Sequence, residues 1–368
     1  MTGNLYLPGK CNMSAALDRA EQFCKRFGLR MPILLAPMAG VPAPSLSIAV
    51  ANAGGLGSCG ALLMRPSEIL AWAEEVRSNS NGSFQLNLWI PDPPPKRDRA
   101  HEARVREFLA GWGPSAAAEA GDATPPDFGA QCEALLAASP PIVSSVMGLY
   151  PAEFVTRIKE RGIAWFANIS TVREACAAEA AGADVIVAQG MEAGGHRGSF
   201  DAMEAERRQV GLFALLPAVV DAVRLPVVAT GGVADARGVA AAFILGASAV
   251  QMGTAFLRCP EARIHPAWAN ALAAAAPEDT VVSRVFSGRA GRSLATDYVR
   301  AATAPDAPAP APYPVQRGLT AAMRAQAQGV GDVQRMQAWS GQAGRLAKAE
   351  PAGQVMQHIW EEARALLA

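Results

Sequence analysis

A glycine-rich loop surrounds His196, one of the four histidines of the chain. Gly194 and Gly195 precede this residue, and Arg197 and Gly198 follow it. An imidazole titrates near neutral pH, so a histidine that reaches a substrate can take a proton from a carbon acid or give one to an oxyanion. The glycines allow the loop to place the imidazole over a bound ring without a steric clash. A lone histidine is usually structural, but this setting is not typical of a core, and we predict that His196 is catalytic.

Two short turns in the second half of the chain combine glycine with threonine. One is Thr230-Gly231-Gly232 and the other is Gln251-Met252-Gly253-Thr254. Glycine lets backbone N–H groups approach a phosphate closely, and the Thr254 hydroxyl can add another donor. The turns after the last two strands of a β/α barrel commonly hold phosphate. Such turns can also serve only to reverse the chain, but two adjacent ones favour a phosphate site.

Two amide side chains stand within or at the end of otherwise apolar segments. They are Asn87 and Gln189. A buried amide needs hydrogen-bond partners, and the edge of a planar ring with alternating donors and acceptors provides them. The isoalloxazine ring of a flavin has such an edge. The alternative is that neighbouring backbone groups satisfy both amides.

All of these polar clusters come directly after an apolar segment that we interpret as a strand. In a β/α barrel the carboxyl ends of all strands emerge on one face, so the clusters are expected to converge on one cavity. Their common position at the ends of successive strand–helix units is stronger evidence for one shared cavity than any single cluster. The predicted cofactor-binding residues are Pro37, Met38, Ala39, Asn87, Gln189, Gly194, Gly195, Gly231, Gly232, Gln251, Met252, Gly253 and Thr254.

Short apolar segments alternate with helical stretches over residues 33–252. The predicted strands are 33–37, 56–60, 84–89, 142–146, 163–169, 184–188, 226–230 and 248–252. They are apolar throughout rather than alternating, which is typical of parallel strands covered on both faces. This pattern predicts an α/β protein built on a (β/α)8 TIM barrel. A Gly/Pro/Ala-rich stretch over 111–127 is expected to be a flexible excursion.

The alternation of predicted strands and helices ends after Met252, which indicates that the chain has three regions. Residues 1–254 are predicted to form a flavin-binding β/α barrel. Residues 255–330 are predicted to form a helical substrate or lid subdomain over the barrel mouth, without a further strand–helix unit. Residues 331–368 are predicted to form C-terminal helices that pack back on the barrel.

The composition excludes several classes of protein. Lys and Arg total 33 and Asp and Glu total 33, so bulk electrostatics do not favour a nucleic-acid or membrane partner. The six cysteines form no C-x-x-C pair and the histidines lack metal-ligand spacing, so no metal site is predicted. Neither a signal peptide nor a membrane-spanning segment is evident. We therefore expect a cytoplasmic enzyme that is a monomer or a homodimer.

These motifs, in this order, resemble the nitronate monooxygenase family, formerly called 2-nitropropane dioxygenases. The resemblance covers most of the chain, and the loop that contains His196 is its most specific part. The segments that carry it are 32–40, 189–198, 229–233, 251–254, Phe286-Ser287-Gly288-Arg289, Tyr313-Pro314 and Trp339-Ser340-Gly341-Gln342.

The resemblance implies an FMN cofactor and a specific reaction. An alkyl nitronate would pass an electron to the flavin, O2 would reoxidise the flavin, and the products would be a carbonyl compound and nitrite. His196 corresponds to the active-site histidine of the family, and it would first remove the α-proton of a neutral nitroalkane. A nitronate is already deprotonated and needs no base.

The chain departs from the family pattern at two places. The family often has glutamine where this chain has Leu35, and many members have an aromatic–histidine pair where Ser145 and Val146 stand here. We therefore expect a less polar pocket wall than in those members.

Three other functions are compatible with parts of the pattern. The closest is an FMN-dependent enoyl-acyl-carrier-protein reductase that uses NAD(P)H, because such enzymes resemble this family in fold and carry a similar glycine–histidine loop. The second is a flavin-binding protein that has lost turnover and acts as a sensor. The third is a barrel dehydrogenase with a covalent cysteine, for which Cys59 at the end of a predicted strand is the only candidate.

Overall fold

The structure is a computed structural model that describes residues 13–41 and 43–368. Its strands are β1 (Ile33–Leu35), β2 (Gly57–Gly60), β3 (Phe84–Trp89), β4 (Ile142–Val146), β5 (Ala164–Ile169), β6 (Val185–Gln189), β7 (Gly195–His196), β8 (Val227–Thr230), β9 (Ala249–Met252), β10 (Thr280–Ser283) and β11 (Gly291–Leu294). Its α-helices are α1 (Met13–Phe27), α2 (Pro44–Ala53), α3 (Pro66–Asn79), α4 (Arg99–Ala110), α5 (Phe128–Ala138), α6 (Ala152–Glu160), α7 (Val172–Ala180), α8 (Leu212–Ala222), α9 (Ala236–Ile244), α10 (Pro266–Ala274), α11 (Asp297–Ala302), α12 (Val315–Leu319), α13 (Ala321–Val330) and α14 (Ala352–Leu367).

Eight strands form a parallel sheet in the order β1-β9-β8-β6-β5-β4-β3-β2. A parallel bridge between Leu34 and Leu56 joins its two edges and closes the sheet. Nearly every residue of these strands is buried, because the sheet encloses side chains on one face and carries helices on the other. The predicted (β/α)8 TIM barrel is therefore confirmed, and each predicted strand overlaps an observed one.

The amino-terminal end of the barrel is filled by side chains. Phe23 and Phe27 of α1 pack on Phe166 of β5, with ring centroids 6.2 and 5.0 Å from it. These rings join a buried cluster with residues such as Leu34 and Val228 from the strands. The aromatic plug closes the end of the barrel opposite the strand carboxyl ends.

The capping of α7 connects the barrel to the loop that contains His196. Thr171 Oγ1 accepts a hydrogen bond from the Glu174 N–H at 3.2 Å, and the Glu174 carboxylate accepts one from the Thr171 N–H at 3.1 Å. This reciprocal pair is the capping box, which stabilises a helix start. The same carboxylate also accepts a hydrogen bond from the Phe200 N–H at 2.9 Å. The helix start therefore fixes the chain just after the histidine loop.

The region after the barrel is not wholly helical, in contrast to the prediction for residues 255–330. β10 and β11 pair in antiparallel fashion, and β11 also pairs with β7, where Gly291 lies opposite His196. These strands have four residues or fewer, and none has more than two consecutive apolar residues. β7 and β11 lie far apart in the chain, so local periodicity does not reveal their pairing.

Several helices outside the barrel units pack on it or on each other. α14 lies against α9, where the rings of Phe243 and Trp360 are 5.8 Å apart. Val105 and Leu109 of α4 share a buried cluster with Val315 and Leu319 of α12. Within the described residues, no helix is long and apolar enough to cross a membrane.

Candidate active site

A cavity of about 310 Å³ opens at the carboxyl ends of the barrel strands. His196 and all the predicted cofactor-binding residues line it. The lining also includes residues from the segments after the barrel, among them Arg317, Arg324 and Trp339. The predicted convergence of the polar clusters on one cavity is therefore observed.

The Gly231-Gly232 turn has a backbone conformation that requires glycine. Gly231 and Gly232 have φ values of 110° and 71°, which lie in the left-handed region that other residues rarely adopt. Thr254 Oγ1 accepts a hydrogen bond from the Gly341 N–H at 3.0 Å. A Cβ atom at Gly194 would collide with the backbone of Gly341. Gly194 thus serves a close approach between the histidine loop and the C-terminal segment.

Gln189 is satisfied by the histidine loop itself. Its Nε2 donates to the His196 carbonyl at 3.2 Å, and its Oε1 accepts from the Gly198 N–H at 2.8 Å. The amide closes the loop onto the end of β6 and orients His196. This arrangement matches the alternative in which backbone groups satisfy the amide. Gln189 therefore acts as a positioning residue for His196.

Asn87 and Asn168 supply amide groups from neighbouring parts of the barrel. Asn87 donates to Ser144 Oγ at 3.0 Å, and both residues line the cavity. Asn168 at the end of β5 is 8% exposed, and its Nδ2 has no hydrogen-bond partner in the described structure. A buried unpaired amide calls for a partner, which a ligand in the cavity can supply. The sequence analysis overlooked Asn168, although a polar residue within an apolar strand is the same signal that identified Asn87.

The imidazole of His196 is held by aromatic rings and a hydroxyl. Trp89 and Trp339 approach it edge-on, with ring centroids at 4.6 and 4.8 Å. His196 Nε2 lies 2.7 Å from Ser287 Oγ, which also donates to the Arg289 carbonyl at 3.1 Å. Because the hydroxyl has one proton, we assign the proton of the imidazole to Nε2. Nδ1 is then the nitrogen that can accept a proton.

Burial and three arginines determine the charge of His196. Burial, followed by the positive charges of Arg289, Arg317 and Arg324, lowers the pKa of His196 to about 3. The imidazole is therefore neutral at physiological pH. A base with so low a pKa removes a proton from a weak carbon acid only slowly. The same positive field attracts an anion into the cavity.

Buried arginines hold the loops around the cavity. Arg289 is 1% exposed, and its Nη1 lies 2.6 Å from both carboxylate oxygens of Asp92. Arg197 donates to the Gly190 carbonyl at 2.7 Å. Arg292 donates to the Met191 carbonyl at 2.9 Å. These contacts fix both the loop before His196 and the segment that presents Ser287.

The two departures from the family pattern have different positions. Val146 lines the cavity, as expected for a residue of the pocket wall. Leu35 is 2% exposed, belongs to the main hydrophobic core and is not among the lining residues. The expectation that Leu35 makes the pocket wall less polar is therefore not met, because its side chain packs in the core.

The neutral state of His196 makes folding stability depend on pH. Its pKa is about 3 in the folded chain and about 6.5 in an unfolded one. Between these values the unfolded chain binds the additional proton, so stability is present above pH 6.5 and declines as the pH falls. We expect His196 to lower the free energy of unfolding by up to about 2 kcal/mol as the pH falls from 7 to 5. Chemical denaturation of the ligand-free wild type and of the His196→Asn variant at both pH values measures this change in the free energy of unfolding. An equal decline in the free energy of unfolding of both proteins would contradict the lowered pKa of His196.

Comparison with known proteins gives consistent matches over nearly the whole chain. A family model described as nitronate monooxygenase matches residues 21–362. A nitronate monooxygenase of Paraburkholderia phytofirmans is 37% identical over 91% of this chain and 93% of its own. A probable nitronate monooxygenase of Staphylococcus aureus is 32% identical over 92% of this chain and 96% of its own.

Solved structures of two proteins have a similar fold. A nitroalkane oxidase from Streptomyces ansochromogenes superposes with a TM-score of 0.83 and 34% identity, and the match covers 92% of this chain and 98% of that one. FabK from Thermotoga maritima superposes with a TM-score of 0.73 and 27% identity, covering 94% and 96% of the two chains.

Proposed function

The chain belongs to the nitronate monooxygenase family of oxidoreductases, and from this premise we propose that it is an FMN-dependent enzyme that oxidises alkyl nitronates with O2 to carbonyl compounds and nitrite. The observation that carries the proposal is the electrostatic character of the cavity. A neutral His196 and two arginines are its titratable lining groups among the described residues. Such a cavity favours an anionic substrate over a neutral one.

The residues of the cavity fit an FMN molecule. The turns at Gly231-Gly232 and Gly253-Thr254 would hold its phosphate through backbone N–H groups and a hydroxyl. Asn168, whose Nδ2 is buried without a partner, would donate to an acceptor on the ring edge. A flavin bound there supplies an acceptor for substrate electrons, and O2 takes them up. Residues 255–330 are proposed to cover the substrate at the barrel mouth.

His196 has different tasks for the two forms of substrate. A nitronate is an anion, so it needs orientation and charge stabilisation but no base. A neutral nitroalkane must first lose its α-proton, and Nδ1 of His196 is the acceptor. Because burial, together with nearby cations, holds the pKa of His196 low, this proton transfer is expected to be slow. Nitronates are therefore expected to be the better substrates.

Steady-state assays of the purified flavoprotein test the proposal. Oxygen uptake and nitrite release are measured with ethyl nitronate and with nitroethane at neutral pH. We expect kcat/KM for the nitronate to exceed that for nitroethane by at least about tenfold. The proposal is wrong if neither compound is consumed while NADH and an enoyl thioester support turnover, which is the enoyl reductase outcome.

A further inference from the structure

The turn over residues 286–290 presents Ser287 to His196. It lies between β10 and β11. Ser287 is 1% exposed, and its Oγ lies 2.7 Å from His196 Nε2. The Ala290 carbonyl accepts a hydrogen bond from the Arg197 N–H at 2.9 Å. The turn is therefore joined to the histidine loop at two places.

The main chain of Arg289 determines the direction of the Ser287 hydroxyl. The Arg289 N–H donates to Ser287 Oγ at 3.2 Å, and the Arg289 carbonyl accepts from the same oxygen at 3.1 Å. A hydroxyl has one proton, so while it donates to this carbonyl it can only accept from His196. The imidazole proton then stays on Nε2. Without this carbonyl, the hydroxyl is free to donate to Nε2, which places the imidazole proton on Nδ1.

The buried side chain of Arg289 anchors this main chain. Its Nη1 lies 2.6 Å from both carboxylate oxygens of Asp92, and its Nη2 donates to the Ser199 carbonyl at 2.5 Å. Asp92 is its only ion-pair partner among the described residues. A buried guanidinium that loses its carboxylate is strongly unfavourable. The ion pair therefore fixes the side chain of Arg289 and, through it, the carbonyl that accepts the serine proton.

Asp92 belongs to the segment that follows β3, three residues after Trp89. The Trp89 ring packs edge-on against the imidazole of His196, with ring centroids 4.6 Å apart. Asp92, Arg289 and Ser287 do not line the cavity. They can therefore act on a substrate only through the imidazole. The segment after β3 thus holds His196 both directly and through the turn.

We propose that Asp92 and Arg289 are positioning residues for proton abstraction by His196. Their ion pair orients the Ser287 hydroxyl toward the Arg289 carbonyl, so Nδ1 of the imidazole stays free to accept the α-proton of a neutral nitroalkane. The electron pair of the broken C–H bond remains on the substrate as the nitronate. This kinetic role rests on the proposed function, whereas the tautomer of His196 does not.

Nitrogen NMR of the purified flavoprotein with isotopically labelled histidine measures the tautomer at neutral pH. Protonated and unprotonated ring nitrogens have different chemical shifts, and the signals missing from the His196→Asn variant identify His196. We expect the wild type to carry the proton mainly on Nε2. In Asp92→Asn and in Ser287→Ala, the ratio of the Nδ1–H form to the Nε2–H form should rise by about tenfold or more, because a buried Nε2–H group loses its acceptor.

Steady-state kinetics of the same variants measure the consequence for proton abstraction. We expect kcat/KM for nitroethane to fall by about threefold or more in both variants, because a smaller fraction of the imidazole has Nδ1 free. The value for ethyl nitronate should change by less than about twofold, because no proton has to be removed. Ser287→Ala leaves the buried charge pair intact, so it tests the assignment even if Asp92→Asn does not fold.

Two variants of the same region are matched controls. Ser293→Ala removes a buried hydroxyl of β11 that donates to the Leu294 carbonyl at 3.1 Å. Glu206→Gln removes the carboxylate that pairs with Arg284 at 3.0 Å. Both variants should keep the tautomer ratio and the kinetics of the wild type.

An unchanged tautomer ratio in Asp92→Asn or in Ser287→Ala would overturn the inference. An equal loss of kcat/KM on both substrates would also overturn it, because the variants would then act on the structure of the site as a whole. If the wild type consumes neither nitroethane nor ethyl nitronate, the proposed function fails, and the tautomer ratio still decides the inference.

Discussion

The His196→Asn variant is expected to lose turnover of neutral nitroalkanes by about 10²-fold, the lower end of the usual contribution of a general base, because the low pKa of His196 makes it a weak base. Asparagine can still hydrogen-bond to Ser287, but it has no nitrogen that accepts a proton. No other described lining side chain can replace it, since the other charged lining groups are the guanidinium groups of Arg317 and Arg324, and no carboxylate is present. Turnover of preformed nitronates should remain within about tenfold of the wild type, because no proton has to be removed.

The measurement is kcat/KM for nitroethane and for ethyl nitronate in both proteins. His358→Asn is a suitable control, because His358 is exposed on α14 and does not line the cavity. The flavin content of each protein is determined first, so that a loss of cofactor is not mistaken for a loss of chemistry. Equal loss on both substrates would rule out His196 as the base for carbon acids.

The Gly232→Val variant is expected to bind FMN about ten- to a hundredfold more weakly and to purify with little or no colour. Gly232 has φ of 71°, and valine in this region costs about 1–3 kcal/mol. Its Cβ would also lie 3.2 Å from the Glu192 Cβ, so the turn has to move. The backbone N–H groups that would hold the phosphate then lose their common orientation.

Gly162→Val provides a control for backbone strain alone. Gly162 has φ of 68°, nearly the same as Gly232, and a Cβ there meets no atom within 4 Å. It lies just before β5, at the end of the barrel opposite the cavity. This variant should be destabilised but should keep its flavin. Flavin measured at one equivalent per chain in Gly232→Val would exclude this turn as the phosphate site.

The common position of the polar clusters was enough to predict the barrel and its cavity. Parallel strands are apolar on both faces, and their carboxyl ends all meet on one side, so Asn87, Thr230 and Gln251 could be placed together without coordinates. Gln189 also lines the cavity, but its hydrogen bonds to the histidine loop depend on the loop's conformation. Local sequence does not specify that conformation.

The remaining parts of the site depend on contacts between distant segments. Arg317 and Arg324 belong to helices whose position is fixed by packing on α4 and on residues 285–299, which no periodicity reveals. Ser287, which follows His196 by 91 residues in the sequence, reaches it because β11 pairs with β7. Such long-range pairings produce no pattern within a window of ten or fifteen residues.

Anaerobic titration of the purified protein with propionate 3-nitronate is the most direct test of the proposed function. The visible spectrum is recorded after each addition, with no nicotinamide present. If the chain is an FMN-dependent nitronate oxidase, the absorbance of the oxidised flavin should decline with the added nitronate and return when O2 is admitted. An oxidised spectrum that does not change with the nitronate, and that bleaches promptly with NADH, would contradict this account.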